Sequence, residues 1–402
     1  MHIDLLSPAS FSNGHPHEQY RWLRENAPVY WHDEPGGRGF WAVTRFDDVR
    51  AMGRDPETFS SEPTIMIADP ADGGMAFGGD HKMMLMMDPP QHTAFRRLIS
   101  REFTQAPAAL LRPRVEALAK QIVDAVIERG ECDFVADIAG EMPSYVIAEL
   151  MGIPLDDGRK LYQLTETIHS AAEAVPEGAQ AAAVMEMFMY AQRVIAEKRA
   201  RPADDLSSKI LAAEVDGRKL DDLDFQLFFL LLVDAGGDTT RNLVAAGLLA
   251  LLENPAALAQ LRASVDTMLP AARDELLRWV SPVIYMRRTA KRDTEIAGQK
   301  IREGDKVVRY FGAANFDERR FDDPYRLDLT RSPNMHIAFG AGAHVCLGQH
   351  IARVEIDALL REVLMRMHDI ELAQPAEWLA SNFISGPKRM PVRFRPASVS
   401  AR

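Results

Sequence analysis

The stretch that decides the fold is FGAGAHVCLG, residues 339–348, in which one of the chain's two cysteines lies among three glycines. The residues that follow, QHIARVEIDALLREVLMRM, place apolar side chains at helical spacing and predict a helix. Cys346 therefore precedes a helix N-terminus, where free N–H groups and the helix dipole stabilise a thiolate. A thiolate is either a nucleophile or a metal ligand, so the stretch predicts a functional cysteine.

Three kinds of site could use this thiolate. A nucleophile paired with His344 would lack a separate histidine as base, and the glycines would have no purpose. A zinc site of His344, Cys346 and His350 would lack the fourth ligand of a closed site. A thiolate that ligates a flat cofactor from below uses the glycines, because a macrocycle lying on the loop leaves no room for side chains. The third site is favoured. The other cysteine, Cys132, is interpreted as a small buried hydrophobic residue.

Composition limits the classes of protein. The chain has 402 residues, 47% of them hydrophobic, which is enough for a large core. Its net charge of -11 argues against nucleic-acid binding, which needs a basic surface. Sparse cysteines and the lack of a signal peptide favour a cytoplasmic protein. The longest apolar stretch is interrupted by Asp234 and Asp238, so we expect no membrane anchor.

The pattern of elements predicts a mainly α protein. PVYW and FWAVT read as a hairpin, FDDVRAMGRD as a short helix, and strands return in TEIAGQKIREGDKVV and PVRF. Helical periodicity dominates from residue 91 to about 280, with breaks predicted at Pro107 and Pro113. We therefore expect one domain over residues 1–402, with a large α-rich lobe and a small β-rich lobe. The β-rich lobe is predicted from roughly 25–65, 283–335 and 378–395.

A long apolar helix, placed at about 222–253, contains the unusual segment DAGGDTT, residues 234–240. Each mid-helix glycine costs ~1 kcal/mol relative to alanine. A buried acid and hydroxyl are also costly unless they are used. The segment is therefore a candidate functional site.

These motifs resemble those of the cytochrome P450 family, the haem-thiolate monooxygenases. FGAGAHVCLG followed by QHIAR is similar to the family's haem-binding signature, and DAGGDTT and ELLR (residues 275–278) follow the family's order. The resemblance implies a P450 fold with haem b between two helices and Cys346 as the iron ligand. The matching positions of the loop are Phe339, Gly340, Gly342, His344, Cys346 and Gly348.

The resemblance also implies roles for residues outside the loop. Asp238 and Thr239 match the acid–alcohol pair that delivers protons, and Ala235 lies one turn before Thr239. The haem propionates would be bound by His92, Arg96, Arg288 and His344, with Arg97 and Arg287 as weaker alternatives. Glu275, Arg278 and Arg326 would form a charge network that holds the loop beneath the haem.

The implied activity is insertion of one oxygen atom of O2 into a lipophilic small molecule, such as a steroid, terpenoid or fatty-acid-like compound. Electrons would come from a ferredoxin or flavodoxin with its NAD(P)H-dependent reductase, because the chain has no flavin or nicotinamide fingerprint. We expect this partner near Cys346, at Arg97, Arg101, Arg112, Arg114 and Arg353. Residues expected to contact substrate are Met66, Met75, Phe77, Met83, Met84, Met86, Met87, Met185, Met187, Phe188 and Met189.

A haem-thiolate protein of the same fold could instead run peroxide-driven oxidation, rearrangement or ligand binding. The Asp238–Thr239 pair favours the monooxygenase, since peroxide-using relatives generally lack it.

Overall fold

The structure is a computed structural model that describes residues 1–70, 81–169 and 175–397. The α-helices, numbered in chain order, are α1 (His17–Asn26), α2 (Phe46–Arg54), α3 (Gln91–Ile99), α4 (Gln105–Ile127), α5 (Glu141–Met151), α6 (Leu155–His169), α7 (Ala179–Ala200), α8 (Leu206–Leu211), α9 (Asp222–Glu253), α10 (Pro255–Ala263), α11 (Val265–Val280), α12 (Phe311–Ala314) and α13 (Gln349–Arg366). Met75 and Phe77 lie outside the described residues.

The strands are short. In chain order they are β1 (Val29–His32), β2 (Phe40–Val43), β3 (Phe59–Ser60), β4 (Glu131–Asp133), β5 (Glu214–Val215), β6 (Arg218–Lys219), β7 (Tyr285–Ala290), β8 (Thr294–Ile296), β9 (Gln299–Ile301), β10 (Lys306–Tyr310), β11 (Met367–Leu372), β12 (Glu377–Trp378), β13 (Pro387–Arg389) and β14 (Pro391–Pro396).

The largest sheet has the strand order β1-β2-β10-β7-β3. It joins two segments of the predicted β-rich lobe, residues 25–65 and residues 283–335. The predicted hairpin is confirmed, because Val29 pairs with Val43 across β1 and β2. The C-terminal strand β14 lies elsewhere, between β11 and β4. The segment before it makes an isolated antiparallel bridge, from Ile384 to Val283, two residues before β7.

Helix α9 forms the centre of the α-rich part. Helices α5, α6, α7, α11 and α13 all contact it, and most of its side chains are buried. Its N-cap is Asp221, whose carboxylate accepts the Asp224 N–H at 2.9 Å while the Asp224 carboxylate accepts the Asp221 N–H at 3.1 Å. This reciprocal cap satisfies two N–H groups of the first turn. The helix spans the predicted range.

The predicted helical breaks were wrong. The break falls instead between α3 and α4, where a 3-10 turn covers Ser100–Phe103. Pro107 lies in the first turn of α4, where its missing N–H has no intrahelical acceptor to lose. Pro113 lies inside α4, and the helix continues past it.

No single helix among the described residues is long and apolar enough to cross a bilayer. Helices α9 and α10 pass that test only as a pair bent by 108°.

Candidate active site

Residues 339–348 form a tight loop before α13. The Cys346 N–H donates to the Phe339 carbonyl at 2.8 Å, which closes the loop on itself. Gly340 and Gly342 have φ of 75° and 81°, which side chains rarely adopt. A Cβ on Gly342 would also lie 1.6 Å from the Gly53 carbonyl oxygen. Glycine is therefore required where the loop packs on α2.

The Cys346 thiol faces a cavity and lies at the start of α13. Its side chain accepts hydrogen bonds from the N–H groups of Gly348 and Gln349. Burial raises the pKa of the Cys346 thiol, while these N–H groups and the guanidinium groups of Arg96 and Arg353 oppose that rise. The helix N-terminus and the nearby cations therefore offset part of the cost that burial imposes on a thiolate. Burial raises the pKa of the Cys132 thiol to about 12, and the charge of Asp137 adds to that rise.

The cavity lies between this loop and α9. It contains about 1570 Å³ of space between atoms, its opening to solvent included, and both Cys346 and Thr239 line it. The Thr239 hydroxyl donates to the Ala235 carbonyl at 3.1 Å, one turn earlier. Ala235 and Gly236 also line the cavity. The structure therefore brings the predicted alcohol and the small residues to the wall opposite the cysteine loop.

Asp238 is placed differently from Thr239. Its side chain is buried, with an oxygen 3.5 Å from the guanidinium of Arg241. Arg241 also binds the carboxylate of Glu166, which is 44% exposed. Asp238 is not among the residues that line the described cavity. It connects the Thr239 segment to the surface instead.

One end of the cavity is cationic. His92, Arg96, Arg288 and His344 all line it, and the His92 and His344 rings lie 3.9 Å apart. Burial and nearby arginines lower the pKa of His92 to about 4, and burial with Arg288 lowers that of His344 to about 2. Both histidines are therefore neutral near pH 7.

Three of these four residues already have protein partners. The Arg96 guanidinium donates to the Val345 carbonyl at 2.7 Å, and Arg288 donates to the Arg287 carbonyl at 2.8 Å. The Nε2 of His344 lies 3.0 Å from the Met87 carbonyl oxygen. His92, only 2% exposed, leaves its Nδ1 without a partner among the described residues. Arg287 points away from the cavity to Asp69, at 2.7 Å.

Sequence reasoning missed two ionisable residues that line the cavity. Arg309, on β10, is 2% exposed, and Glu355, on α13, is 5% exposed. Burial raises the pKa of the Glu355 carboxyl to about 8, partly offset by a hydrogen bond with Thr240. The sequence does contain an indication for Arg309, because it follows two valines within the strand segment KVVRY and so stands out as a charged residue among apolar ones.

The residues present fit the haem that the sequence resemblance implies. The buried Nδ1 of His92 and two nitrogens of Arg309 have no partners among the described residues and can donate to propionates. Gly348 lines the cavity, and a Cβ built there would meet no protein atom within 4 Å. The loop surface is therefore bare above the thiol, as a flat macrocycle requires.

The charge network beneath the loop is present, with one correction. Glu275 and Arg278 are both fully buried and joined by two hydrogen bonds, of 2.9 and 2.8 Å. The assignment of Arg326 as the third member was wrong, because its side chain is 66% exposed and pairs with Asp323 and Asp328. Arg331 takes that position, 3.1 Å from the Glu275 carboxylate.

The remaining cavity walls are apolar. They are formed in part by Leu85, Phe103, Val146, Ile147, Leu150, Leu231 and Leu232. Of the described methionines predicted to contact substrate, Met84 alone lines the cavity. Met187 is fully buried in the core, and Met185 and Met189 are exposed on α7. None of these three lines the cavity, so their predicted contact with substrate finds no support there.

Comparison with known proteins gives one consistent result. Residues 177–372 match the family model described as Cytochrome P450. The chain is 38% identical to "Putative cytochrome P450 126" of Mycobacterium tuberculosis, over 98% of this chain and 97% of the relative. It is 36% identical to "Steroid C26-monooxygenase" of Mycolicibacterium smegmatis, over 98% and 97% of the two chains.

A further relative and a solved structure agree with these. The chain is 37% identical to "Methyl-branched lipid omega-hydroxylase" of Mycobacterium bovis, over 92% of this chain and 89% of that protein. The structure of Mycobacterium marinum cytochrome P450 CYP268A2 in complex with pseudoionone superposes with a TM-score of 0.91 and 37% identity, over 98% and 99% of the two chains. The predicted fold class is thereby confirmed.

Proposed function

The chain belongs to the cytochrome P450 family of monooxygenases, and from this premise we propose that it inserts one oxygen atom of O2 into a lipophilic small molecule. The observation that carries the proposal is the cavity itself, with the Cys346 thiol on one wall, the Thr239 hydroxyl on another and apolar side chains around them. Haem b, when bound, supplies the thiolate-ligated iron that activates dioxygen.

The residues of the loop hold the iron ligand in place. The N–H groups of Gly348 and Gln349 stabilise the Cys346 sulfur as a thiolate. Phe339 fixes the loop through its carbonyl, and its ring lies 4.6 Å from the Arg353 guanidinium. His92, Arg96, Arg288 and His344 would orient the propionates.

Thr239 and Asp238 would move protons. Thr239 holds a hydroxyl at the cavity wall, anchored to the Ala235 carbonyl. Asp238, Arg241 and Glu166 form a chain of charged groups that leads from this part of α9 to the surface. Because a guanidinium does not release its proton, Arg241 would hold the two carboxylates in place and would not relay protons itself. We propose that protons pass from Glu166 to Asp238 through water and reach the cavity at the Thr239 hydroxyl.

The substrate class is proposed from the walls and from the relatives. The arginines and histidines lie at the propionate end, and the rest of the cavity is apolar apart from Thr239, Thr240 and Glu355. Relatives are named for steroids and methyl-branched lipids, and a solved structure contains pseudoionone. We therefore propose a steroid, terpenoid or fatty-acid-like substrate. A screen of such compounds for spectral shifts of the ferric protein tests this, and binding only of charged polar compounds would contradict it.

Carbon monoxide binding to the reduced protein tests the iron ligand. A thiolate ligand gives a Soret band displaced to long wavelength, and Cys346→Ser should abolish that band. Cys132→Ser is the matched control and should keep it, because Cys132 lies on β4 and does not line the cavity. A wild-type protein with an imidazole-type spectrum, or with zinc and no colour, would contradict the proposal.

Thr239→Ala tests oxygen chemistry against peroxide-driven chemistry. Loss of the hydroxyl should lower product formed per NAD(P)H consumed several-fold and raise peroxide release, while substrate binding is retained. Thr239→Ser, which keeps a hydroxyl, should remain coupled. If Thr239→Ala stays fully coupled, the proton-delivery role is wrong.

Electrons are proposed to come from a ferredoxin or flavodoxin and its NAD(P)H-dependent reductase, in the cytoplasm. The exposed arginines Arg97, Arg101, Arg112 and Arg114 support an acidic partner.

A further inference from the structure

Arg309 is a buried cation at the cationic end of the cavity. Strands β10 and β7 pair so that Arg309 lies opposite Met286 and Val307 opposite Arg288. Arg309, Met286 and Arg288 therefore project from the same face of the sheet, and all three line the cavity. The two guanidinium groups are diagonal neighbours on this face.

The side chain of Arg309 is tightly held. A Cβ on Gly53 would lie 2.4 Å from Arg309 Nη1 and 2.5 Å from the Ala341 carbonyl oxygen. The Arg309 guanidinium is also 5.5 Å from the centre of the Phe311 ring. The guanidinium is therefore packed between α2, the cysteine loop and Phe311, with no room to reach solvent.

The charge of Arg309 is uncompensated. Its Nε and Nη1 have no hydrogen-bond partner, and no carboxylate pairs with it within the parts of the chain that the structure describes. The pKa of Arg309 is lowered by burial and by the charge of Arg288. Burial also lowers the pKa of Arg288, but there the carboxylate of Asp88 acts in the opposite direction and raises it. A guanidinium stays protonated in proteins, so a buried one without an anion is costly. The site calls for an anion.

We propose that Arg309 is an additional propionate-binding residue, alongside the residues that the family resemblance identifies. A propionate carries one negative charge and can accept two hydrogen bonds from a planar guanidinium. Two propionates would then face three guanidinium groups, those of Arg96, Arg288 and Arg309. The excess positive charge would favour the reduced iron and so raise its reduction potential.

This inference rests on haem binding by the proposed function, and its test uses the holoenzyme. Arg309→Met should speed haem transfer to excess apomyoglobin by roughly tenfold to a hundredfold, because a hydrogen bond to a charged group is lost. The midpoint potential of the bound iron should shift to more negative values. The haem-free variant should melt at a higher temperature than the haem-free wild type, because a buried unpaired cation is removed.

Arg287→Met is the matched control. Arg287 is a neighbouring buried arginine, opposite Val308, but it binds Asp69 on the other face. This variant should lower the melting temperature of haem-free and haem-bound protein alike, with little change in potential. Arg309→Lys keeps the charge without the planar fork. If Arg309→Met does not fold, Arg309→Lys serves in its place. Its rate of haem transfer should lie between those of wild type and Arg309→Met, and its midpoint potential should be near that of the wild type.

The outcomes are distinguishable. Unchanged haem transfer and potential in Arg309→Met, or equal acceleration in Arg287→Met, would overturn the role of Arg309 while the proposed function stands. A lower melting temperature of haem-free Arg309→Met would also overturn it, since it would make Arg309 a structural residue. A wild-type protein without a thiolate spectrum would overturn the inference and the proposed function together.

Discussion

Glu355 shows how one residue can make stability depend on pH. Its carboxyl is buried beside Thr240, and burial raises its pKa to about 8 from a usual value of 4.5. The folded protein therefore keeps this proton up to about pH 8, whereas the unfolded chain loses it near pH 4.5. Between these values unfolding releases a proton, so the contribution of Glu355 to stability falls as pH rises.

Glu355→Gln should remove this dependence, because glutamine is neutral at every pH. We expect the unfolding free energy of the variant, relative to wild type, to rise by roughly 3–4 kcal/mol between pH 5 and pH 8. Denaturant unfolding of the haem-bound protein at several pH values measures it. Glu362→Gln is the control, since Glu362 lies on the same helix and pairs with Arg366. If the unfolding free energies of wild type and Glu355→Gln changed with pH in parallel, the raised pKa would not belong to Glu355.

Individual residues were predictable from the sequence where the pattern was costly without a function. Cys346 among glycines and Thr239 in an apolar helix are of this kind, since both line the cavity, whereas Asp238 does not. Arg331 was missed because it lies five residues after Arg326 in the same polar segment, and only burial distinguishes the two. Arg309 was missed because a single arginine in a strand gives no indication of which face it occupies.

At the scale of elements, α11 and the loop after α12 are joined by the Glu275 carboxylate. It accepts hydrogen bonds from Arg278, Arg331, the Asn334 amide and the Asp328 N–H. Arg278 also donates to the Asn315 carbonyl at 2.9 Å. The Asn315 side chain in turn accepts the Ile337 N–H at 2.8 Å, two residues before the cysteine loop. The network therefore positions the segment that holds Cys346.

Arg331→Met should be strongly destabilising, because it leaves part of a buried carboxylate without its partner. We expect a loss of about 3 kcal/mol in unfolding free energy, measured by denaturant unfolding. Haem retention should fall as well. Arg326→Met provides the comparison, and removal of this exposed side chain should cost less than about 1 kcal/mol. If Arg326→Met lowered the unfolding free energy more than Arg331→Met, Arg326 would be the third member of the Glu275–Arg278 network after all.

Helix boundaries followed the sequence where caps or periodicity were strong. The Asp221 cap and the apolar run give α9, and the spacing after Gly348 gives α13. The β14 pairing could not be predicted, because a short apolar segment at the end of a chain does not specify its partner strand. The break predicted at Pro107 failed because a first-turn proline is compatible with a helix, and α4 also continues past Pro113.

For the whole molecule, the proposed function requires that an acidic protein attract an electron donor, which we proposed to dock on the face that carries the cysteine loop. The net charge is -11, but four of the five arginines expected at the docking face are exposed: Arg97, Arg101, Arg112 and Arg114. Arg353 is half-buried, 3.4 Å from an oxygen of Asp274 and close to the Phe339 ring. Arg353 is thus part of the loop's support, and its substitution would change the haem site as well as docking.

Helix α4 is the better place to test docking. It packs along α13, which begins directly after the cysteine loop, and it carries Arg112 and Arg114. Arg112 makes a long ion pair, 3.8 Å, with Glu116, and both side chains are largely exposed. Burial raises the pKa of Asp357, and the charge of Arg112 opposes part of that rise. A charge reversal there should leave folding almost unchanged, because exposed pairs contribute ~0–1 kcal/mol.

Arg112→Glu should therefore slow reduction of the iron by the ferredoxin or flavodoxin at low ionic strength, through weaker association with an acidic partner. The difference from wild type should shrink as salt rises, since salt screens exposed charges beyond ~10 Å at 0.1 M. Stopped-flow reduction measures both effects. Arg393→Glu reverses an exposed charge on β14, which pairs with β11 and β4 away from the cysteine loop. Equal slowing by the two variants would mean that net charge alone governs association, and no slowing by Arg112→Glu would place the docking face elsewhere.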